Sequence, residues 1–230
     1  MNSLYLRQPG DLIAHYRVRR LIGSGMEGNV YAVTDTRDGS VKSLKILRGR
    51  RMLREAEHIA AHYLKLRGIP SVKQLRDRGV LAGQRGVGIR PWLAFDYVDG
   101  TTLADLSARG LLWRPIEVLV AICASLEAVH ERGVAIGDLD NGRNILQERG
   151  SGRIVICDLD AGEIGEKRIS RREDLKELIT LTRGVLFART RSMLAAQALY
   201  CLETSRSIGA ARKRIVALAH ATGRARGTPP

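Results

Sequence analysis

The sequence predicts an α+β protein of two lobes: a small antiparallel sheet with one helix over residues 1–98, then a mainly helical, reduced lobe over residues 99–222. Three observations carry this reading. Alternating, β-branched segments crowd the first fifty residues, apolar residues recur at helical spacing from residue 115 onward, and the pattern changes at a turn around Gly100. Residues 223–230, GRARGTPP, read as a disordered basic tail.

The elements follow in order. YRVRRLI (16–22), NVYAVTD (29–35) and SVKSLKIL (40–47) read as three antiparallel strands, the last two joined by an Asp38-Gly39 turn. Between the first two lies GSGMEG, where Gly23, Gly25 and Gly28 allow a turn that brings backbone N–H groups close to an anion. RMLREAEHIAAHYLKL then shows Met52, Leu53, Ala56, Ile59, Ala60 and Tyr63 at helical spacing, an amphipathic helix expected to pack on the sheet. RPWLAFDYVDGTTL supplies another buried strand. Pro115 opens a core helix with Ile116, Leu119, Ile122, Cys123, Leu126 and Val129 on its apolar face, closed by Gly133. Two short strands, NIL and RIVIC, follow around the turn QERGSG. Beyond them the sequence predicts a basic loop (Lys167, Arg168, Arg171, Arg172) and helices near 174–186, 193–202 and 208–220.

Composition narrows the function classes. With 44% hydrophobic residues in 230, the chain can bury real cores, and no apolar run reaches membrane-spanning length. The start, MNSLYLRQPG, lacks the apolar stretch of a secretory signal, so a cytoplasmic protein is expected. Cys123, Cys157 and Cys201 are too few and too scattered for a disulfide framework or a zinc site. His58 and His62 share a metal-ligand spacing, but with no third ligand nearby they read as a helix face, and His130 reads as a packed or capping residue. The net charge of +14 favours anionic partners, whereas 4% aromatic residues argue against a protein that stacks nucleic-acid bases.

GDLDNGRNIL places Asp138, Asp140, Asn141 and Asn144 just before one strand, and IVICDLD places Asp158 and Asp160 at the end of the next. Carboxylates near apolar strands cost free energy unless they meet a cation, a donor or a proton in transit. The pair of segments therefore invites a chemical explanation.

The succession of these segments over residues 16–186 resembles the protein-kinase-like superfamily, which implies a two-lobed kinase-like fold. GSGMEGNVY is similar to the glycine-rich loop, with Gly23, Ser24, Gly25, Gly28 and Val30 at its positions, and KSLKIL to the strand that bears the ATP lysine, here Lys45 near the strand end. LREAEHIA resembles the helix bearing the lysine's acidic partner. Helical periodicity leaves Glu55 and Glu57 equal; the resemblance prefers Glu55. LAFDYVDGTTL is similar to the hinge, giving Asp96 and Val98 to the nucleotide. GDLDNGRNIL resembles the catalytic loop and IVICDLD the metal-binding segment, so Asp138 would be the catalytic aspartate and Asn144 and Asp158 the magnesium ligands.

The sequence departs from that family at four points. Ile136-Gly137 stand where His-Arg is usual, Asn144 lies six residues beyond Asp138 instead of five, Asp160 replaces a glycine, and no A-P-E-like segment follows. The longer spacing leaves Asn141 and Asp140 as alternatives to Asn144. The resemblance implies magnesium and ATP as cofactors and a hydroxyl acceptor, a protein serine or threonine by default. A glycine-aspartate loop and a basic segment are also similar to lipopolysaccharide core-sugar kinases, which would imply a phosphorylated glycan at an anionic membrane surface. A pseudokinase that binds ATP without turnover is the third reading, and no specific nucleic acid is expected.

Overall fold

The structure, a computed structural model, describes residues 6–48, 52–81, 89–139, 141–159 and 170–225. The chain divides into two compact units, residues 1–68 with 73–98 and residues 69–72 with 99–230.

In the first unit, strands β1 (Leu12–Ile13), β2 (Tyr16–Ser24), β3 (Gly28–Asp35), β4 (Val41–Leu47), β5 (Leu75–Leu81) and β6 (Arg90–Asp96) form one antiparallel sheet in the order β1-β2-β3-β4-β6-β5. Strand alternation divides its residues between two faces. Tyr31, Val33, Leu44, Ile46, Trp92 and Ala94 join Ile13, Tyr16 and Val18 in one buried cluster. Val30, Lys45, Leu93 and Phe95 point the other way, and helix α1 (Met52–Lys65) packs there, Tyr63 lying 4.7 Å from Phe95 between ring centroids. The helix packs through Ala56, Ile59, Ala60 and Tyr63; Leu53, expected in its apolar stripe, is 47% exposed.

In the second unit, β7 (Gly100–Thr102), β8 (Ile145–Glu148) and β9 (Ile154–Ile156) make a small antiparallel sheet. Helices α2 (Leu103–Ala108), α3 (Pro115–Glu131), α4 (Arg171–Leu181), α5 (Met193–Glu203) and α6 (Ile208–Ala225) form the rest, and a π-helical turn, Thr182–Leu186, extends α4. Leu119, Ile122, Cys123, Leu126 and Val129 make α3 the central helix, with Pro115 in its first turn. Among the described residues no helix is long and apolar enough to cross a membrane.

Three expectations change. Helix α4 starts at Arg171, before the predicted Asp174, because Ser170 and Glu173 exchange hydrogen bonds as a capping box. Arg171 and Arg172 are therefore first-turn helix residues instead of loop residues, and Lys167 and Arg168 lie outside the described residues. Helix α6 continues through Gly223, Arg224 and Ala225, where a disordered tail was expected; residues 226–230 lie outside the described residues.

Candidate active site

The first unit holds the glycine loop and Lys45. Gly23 and Ser24 end β2, Gly28 opens β3, and Gly25 N–H donates to Gly28 O at 3.0 Å across the turn. A Cβ at Gly28 would stand 2.2 Å from Ile46 O, so glycine is required there for β3 to lie against β4; a Cβ at Gly25 would meet nothing within 4 Å. Gly28→Ala is accordingly expected to cost about 1–3 kcal/mol of stability. A urea unfolding midpoint lowered at unchanged slope would register it.

Arg48 ties the loop down. Its guanidinium donates to Gly25 O (3.3 Å) and Asn29 Oδ1 (2.5 Å), its own N–H donates to Glu27 O (2.7 Å), and Ser24 Oγ donates to Asn29 Oδ1 (2.9 Å). Lys45 sits inside β4, paired in register with Val30 and Leu93, and is 7% exposed. That corrects the expected place at a strand end. Its ammonium donates to the Glu27 carboxylate at 2.7 Å, so incoming phosphate oxygens would compete with a carboxylate of the loop itself. Helix α1 lies on the sheet face that carries Lys45 and bears Glu55, whose side chain lies outside the described residues; Glu57 is exposed.

Asp96 and Val98 differ. The Asp96 carboxylate accepts one bifurcated hydrogen bond from Arg76 Nε (2.9 Å to each oxygen), one from Arg76 Nη2 (2.7 Å) and one from Lys42 (3.2 Å). Burial pushes that carboxyl up, but the Arg76 and Lys42 hydrogen bonds and charges outweigh it and hold it below its ordinary value. Asp96 N–H is also committed, to Gln74 O at 3.0 Å. The residue thus ties the end of β6 to Lys42 of β4 and Arg76 of β5. Val98 N–H and C=O make no hydrogen bond among the described residues.

The second unit holds the two aspartates and Asn144. Asp138 is exposed and has φ 51°, a left-handed conformation that costs a non-glycine residue strain. Asn144 Nδ2 donates to Asp138 Oδ2 (2.7 Å) and Asp138 O (3.0 Å), and Asn141 Nδ2 donates to Asp138 Oδ1 (3.2 Å). Asn141 Oδ1 is taken by Arg143 N–H at 2.8 Å, whereas Asn144 Oδ1 accepts no hydrogen bond among the described residues. Among the described residues Asn144 is thereby the asparagine whose side-chain oxygen accepts no hydrogen bond. Within the segment Gly142 N–H donates to Leu139 O (3.2 Å). Gly142 has φ 69°, and a Cβ there would crowd Leu181, Ala104 N and Val185 at 3.2–3.3 Å. Asp140 and Asp160 lie outside the described residues.

Cys157 N–H donates to Asn144 O at 2.8 Å, carrying the β8–β9 ladder one step beyond Ile145 and Ile156. Asp158 follows directly in the chain and is half-buried. The Asn144 amide oxygen and the Asp158 carboxylate are each hard oxygen donors of the kind magnesium takes. Among the described residues no three His, Cys, Asp or Glu side chains gather as a metal-binding group, and His58 and His62 stack edge to face at 4.5 Å.

The loop's backbone is pinned from α4, a feature the sequence reading missed. Asp174, fully buried, accepts from Ile136 N–H (3.0 Å) and Gly137 N–H (2.9 Å) and bonds His130 Nε2 at 2.7 Å. Glu177 accepts from Leu139 N–H at 3.0 Å. The available signal was the S-x-x-E capping box at residue 170, which fixes the helix start and puts Asp174 and Glu177 on its first two turns. His130 is packed, as its position in α3 implied.

No protein-family model matches the chain. It is 29% identical over 165 residues to the serine/threonine-protein kinase PknI of Mycobacterium tuberculosis, covering 65% of the chain and 26% of that protein. To PknD of the same organism it is 32% identical over 151 residues, 60% of the chain and 21% of PknD. It therefore spans about a quarter of the length of these curated relatives. The fold is similar to that of the crystallised PknI kinase domain, with a TM-score of 0.67 at 18% identity, over 95% of this chain and all of that one. A second crystal structure of that domain gives a TM-score of 0.66 at 19% identity, over 94% of this chain and 99% of that one. The element order and these structural likenesses show that the chain has a protein-kinase-like α+β fold, and in sequence it is similar to serine/threonine-protein kinases over about 150–165 residues.

Proposed function

We propose that the chain is a protein kinase that transfers the γ-phosphate of magnesium–ATP to a serine or threonine hydroxyl. The observation that carries this reading is the joined set Asp138–Asn144–Cys157–Asp158, built on a strained, exposed aspartate held by hydrogen bonds. The relatives that share most of this chain are named serine/threonine-protein kinases, which favours a protein acceptor over a glycan.

Phosphoryl transfer passes through a loose transition state, so the protein's work is positioning and charge neutralisation. Asn141 and Asn144 each donate one hydrogen bond to the Asp138 carboxylate, which retains lone pairs to accept from an acceptor hydroxyl and orient it. Asn144 Oδ1 and Asp158 would hold magnesium. Bound there, the cation supplies positive charge to the phosphate oxygens. In the first unit Lys45 would exchange Glu27 for the α- and β-phosphates, the loop amides would cover them, and Val98 would offer its N–H and C=O to the adenine edge. Glu55 would orient Lys45. The thiols of Cys123, Cys157 and Cys201, none in a disulfide among the described residues, fit a reducing cytoplasm.

Two experiments test the reading. Lys45→Met replaces a buried stem with one of similar length and returns the half-exposed Glu27 to water, so the variant should fold while losing most of the magnesium–ATP thermal shift. Asp158→Ala should lose it as well; full wild-type shifts in both would refute the site. Incubation with γ-labelled ATP, lysate protein and extracted glycolipid in parallel should label protein, and label confined to glycolipid would select the sugar-kinase reading.

A further inference from the structure

A cavity of about 700 Å³ opens on the second unit, where the end of α3, the start of α4 and the α5–α6 connection meet. None of its lining belongs to the residues assigned above to nucleotide, metal or acceptor. Arg171, Arg172 and Arg206 line it, with Leu175 and Ile208 as apolar wall. Arg171 is committed to His130 O at 2.5 Å, but Arg172 and Arg206 are exposed and make no ion pair or hydrogen bond among the described residues.

The opposing charges are unequal to these. Glu127 is ion-paired with Arg212, and only Glu131, exposed on the last turn of α3, offers a carboxylate without a partner among the described residues. The lining therefore carries an excess of positive charge. The α6 N-terminus adds to it: Ser207 Oγ accepts from Ala210 N–H (3.2 Å), while the Ile208 and Gly209 amides carry no hydrogen bond among the described residues. Two uncommitted guanidinium groups and unspent helix amides suit a doubly charged oxyanion, since each added negative charge strengthens its hydrogen bonds to cationic donors. The volume is in the range of sites that enclose drug-sized ligands, far more than one phosphate fills, and the Leu175–Ile208 wall suits apolar neighbours of that group.

We propose that this cavity binds a phosphoserine or phosphothreonine of a partner polypeptide, with Arg172 and Arg206 on the phosphate. The site is independent of the phosphoryl-transfer reading, since it needs neither ATP nor Asp138.

The test is a fluorescence anisotropy titration of the whole chain with a labelled eight-residue peptide carrying a central phosphoserine and a leucine beside it, against its unphosphorylated twin. The phosphopeptide should bind about ten- to a hundredfold tighter, the range expected for hydrogen bonds to a charged group. The double variant Arg172→Gln, Arg206→Gln should lose that advantage, whereas Arg191→Gln, an exposed arginine outside the lining, should keep it. Both altered arginines are exposed, so a circular-dichroism melt matching wild type is expected and checks the fold. Equal binding of the two peptides, or equal loss in Arg191→Gln, would overturn the proposal as non-specific charge attraction. Displacement of the phosphopeptide by inorganic phosphate at the peptide's own concentration would overturn it in favour of a small-ion site.

Discussion

Asp138→Asn is expected to bind magnesium–ATP as the wild type does and to transfer phosphate about 10²- to 10⁴-fold more slowly. The geometry separates the two effects. The carboxylate is exposed and held by Asn141 and Asn144, so the change removes charge from the place where an acceptor hydroxyl would dock while leaving Lys45 untouched. Asparagine tolerates a left-handed backbone, so φ 51° should be preserved. Single-turnover transfer with an ATP-binding titration checks it, and an unchanged rate would remove Asp138 from the catalytic role.

Asp174→Ala should be the most destabilising change in the second unit, by about 3–5 kcal/mol, the range for removing one member of a buried charged network. Three donors lose their acceptor at once: the amides of Ile136 and Gly137 and the ring of His130. The first two lead directly into Asp138, so the backbone that holds the strained aspartate loses its anchor. Urea unfolding measures the stability, and hydrogen exchange at the Ile136 and Gly137 amides measures the anchor. Unchanged stability with unchanged exchange would show that α4 does not hold the loop. Asp174→Asn, which keeps one acceptor oxygen but turns an NH2 toward other donors, should fall between wild type and Ala.

Much of the fold was legible because its signals are local. Alternation in β2, β3 and β4 and the Pro115-to-Val129 stripe of α3 mark elements whose one face is buried, and burial is what periodicity records. β5 was not legible. LRDRGVL carries charge on its exposed side, borders the sheet and contains a glycine, so its strand character comes from pairing with β6. The same limit governs the site. Asp138, Asn144 and Asp158 stand out as polar residues at strand ends, but Asp174 serves them from 36 residues beyond Asp138, and only folding brings it under their backbone. Glu27 on Lys45 is likewise a tertiary contact; in sequence it is one loop residue among several. Gly28 shows the converse: its place in a phosphate-loop pattern was legible, while its packing need against Ile46 was not.

The most direct test of the central claim is phosphosite mass spectrometry on protein substrate incubated with magnesium and ATP bearing a heavy-oxygen γ-phosphate, with wild type and Asp138→Asn in parallel. The reading predicts heavy phosphate on serine or threonine hydroxyls with wild type and its near-complete loss with the variant over the same interval. Equal incorporation by both, or none by a wild type whose melting temperature rises with magnesium–ATP, would contradict it.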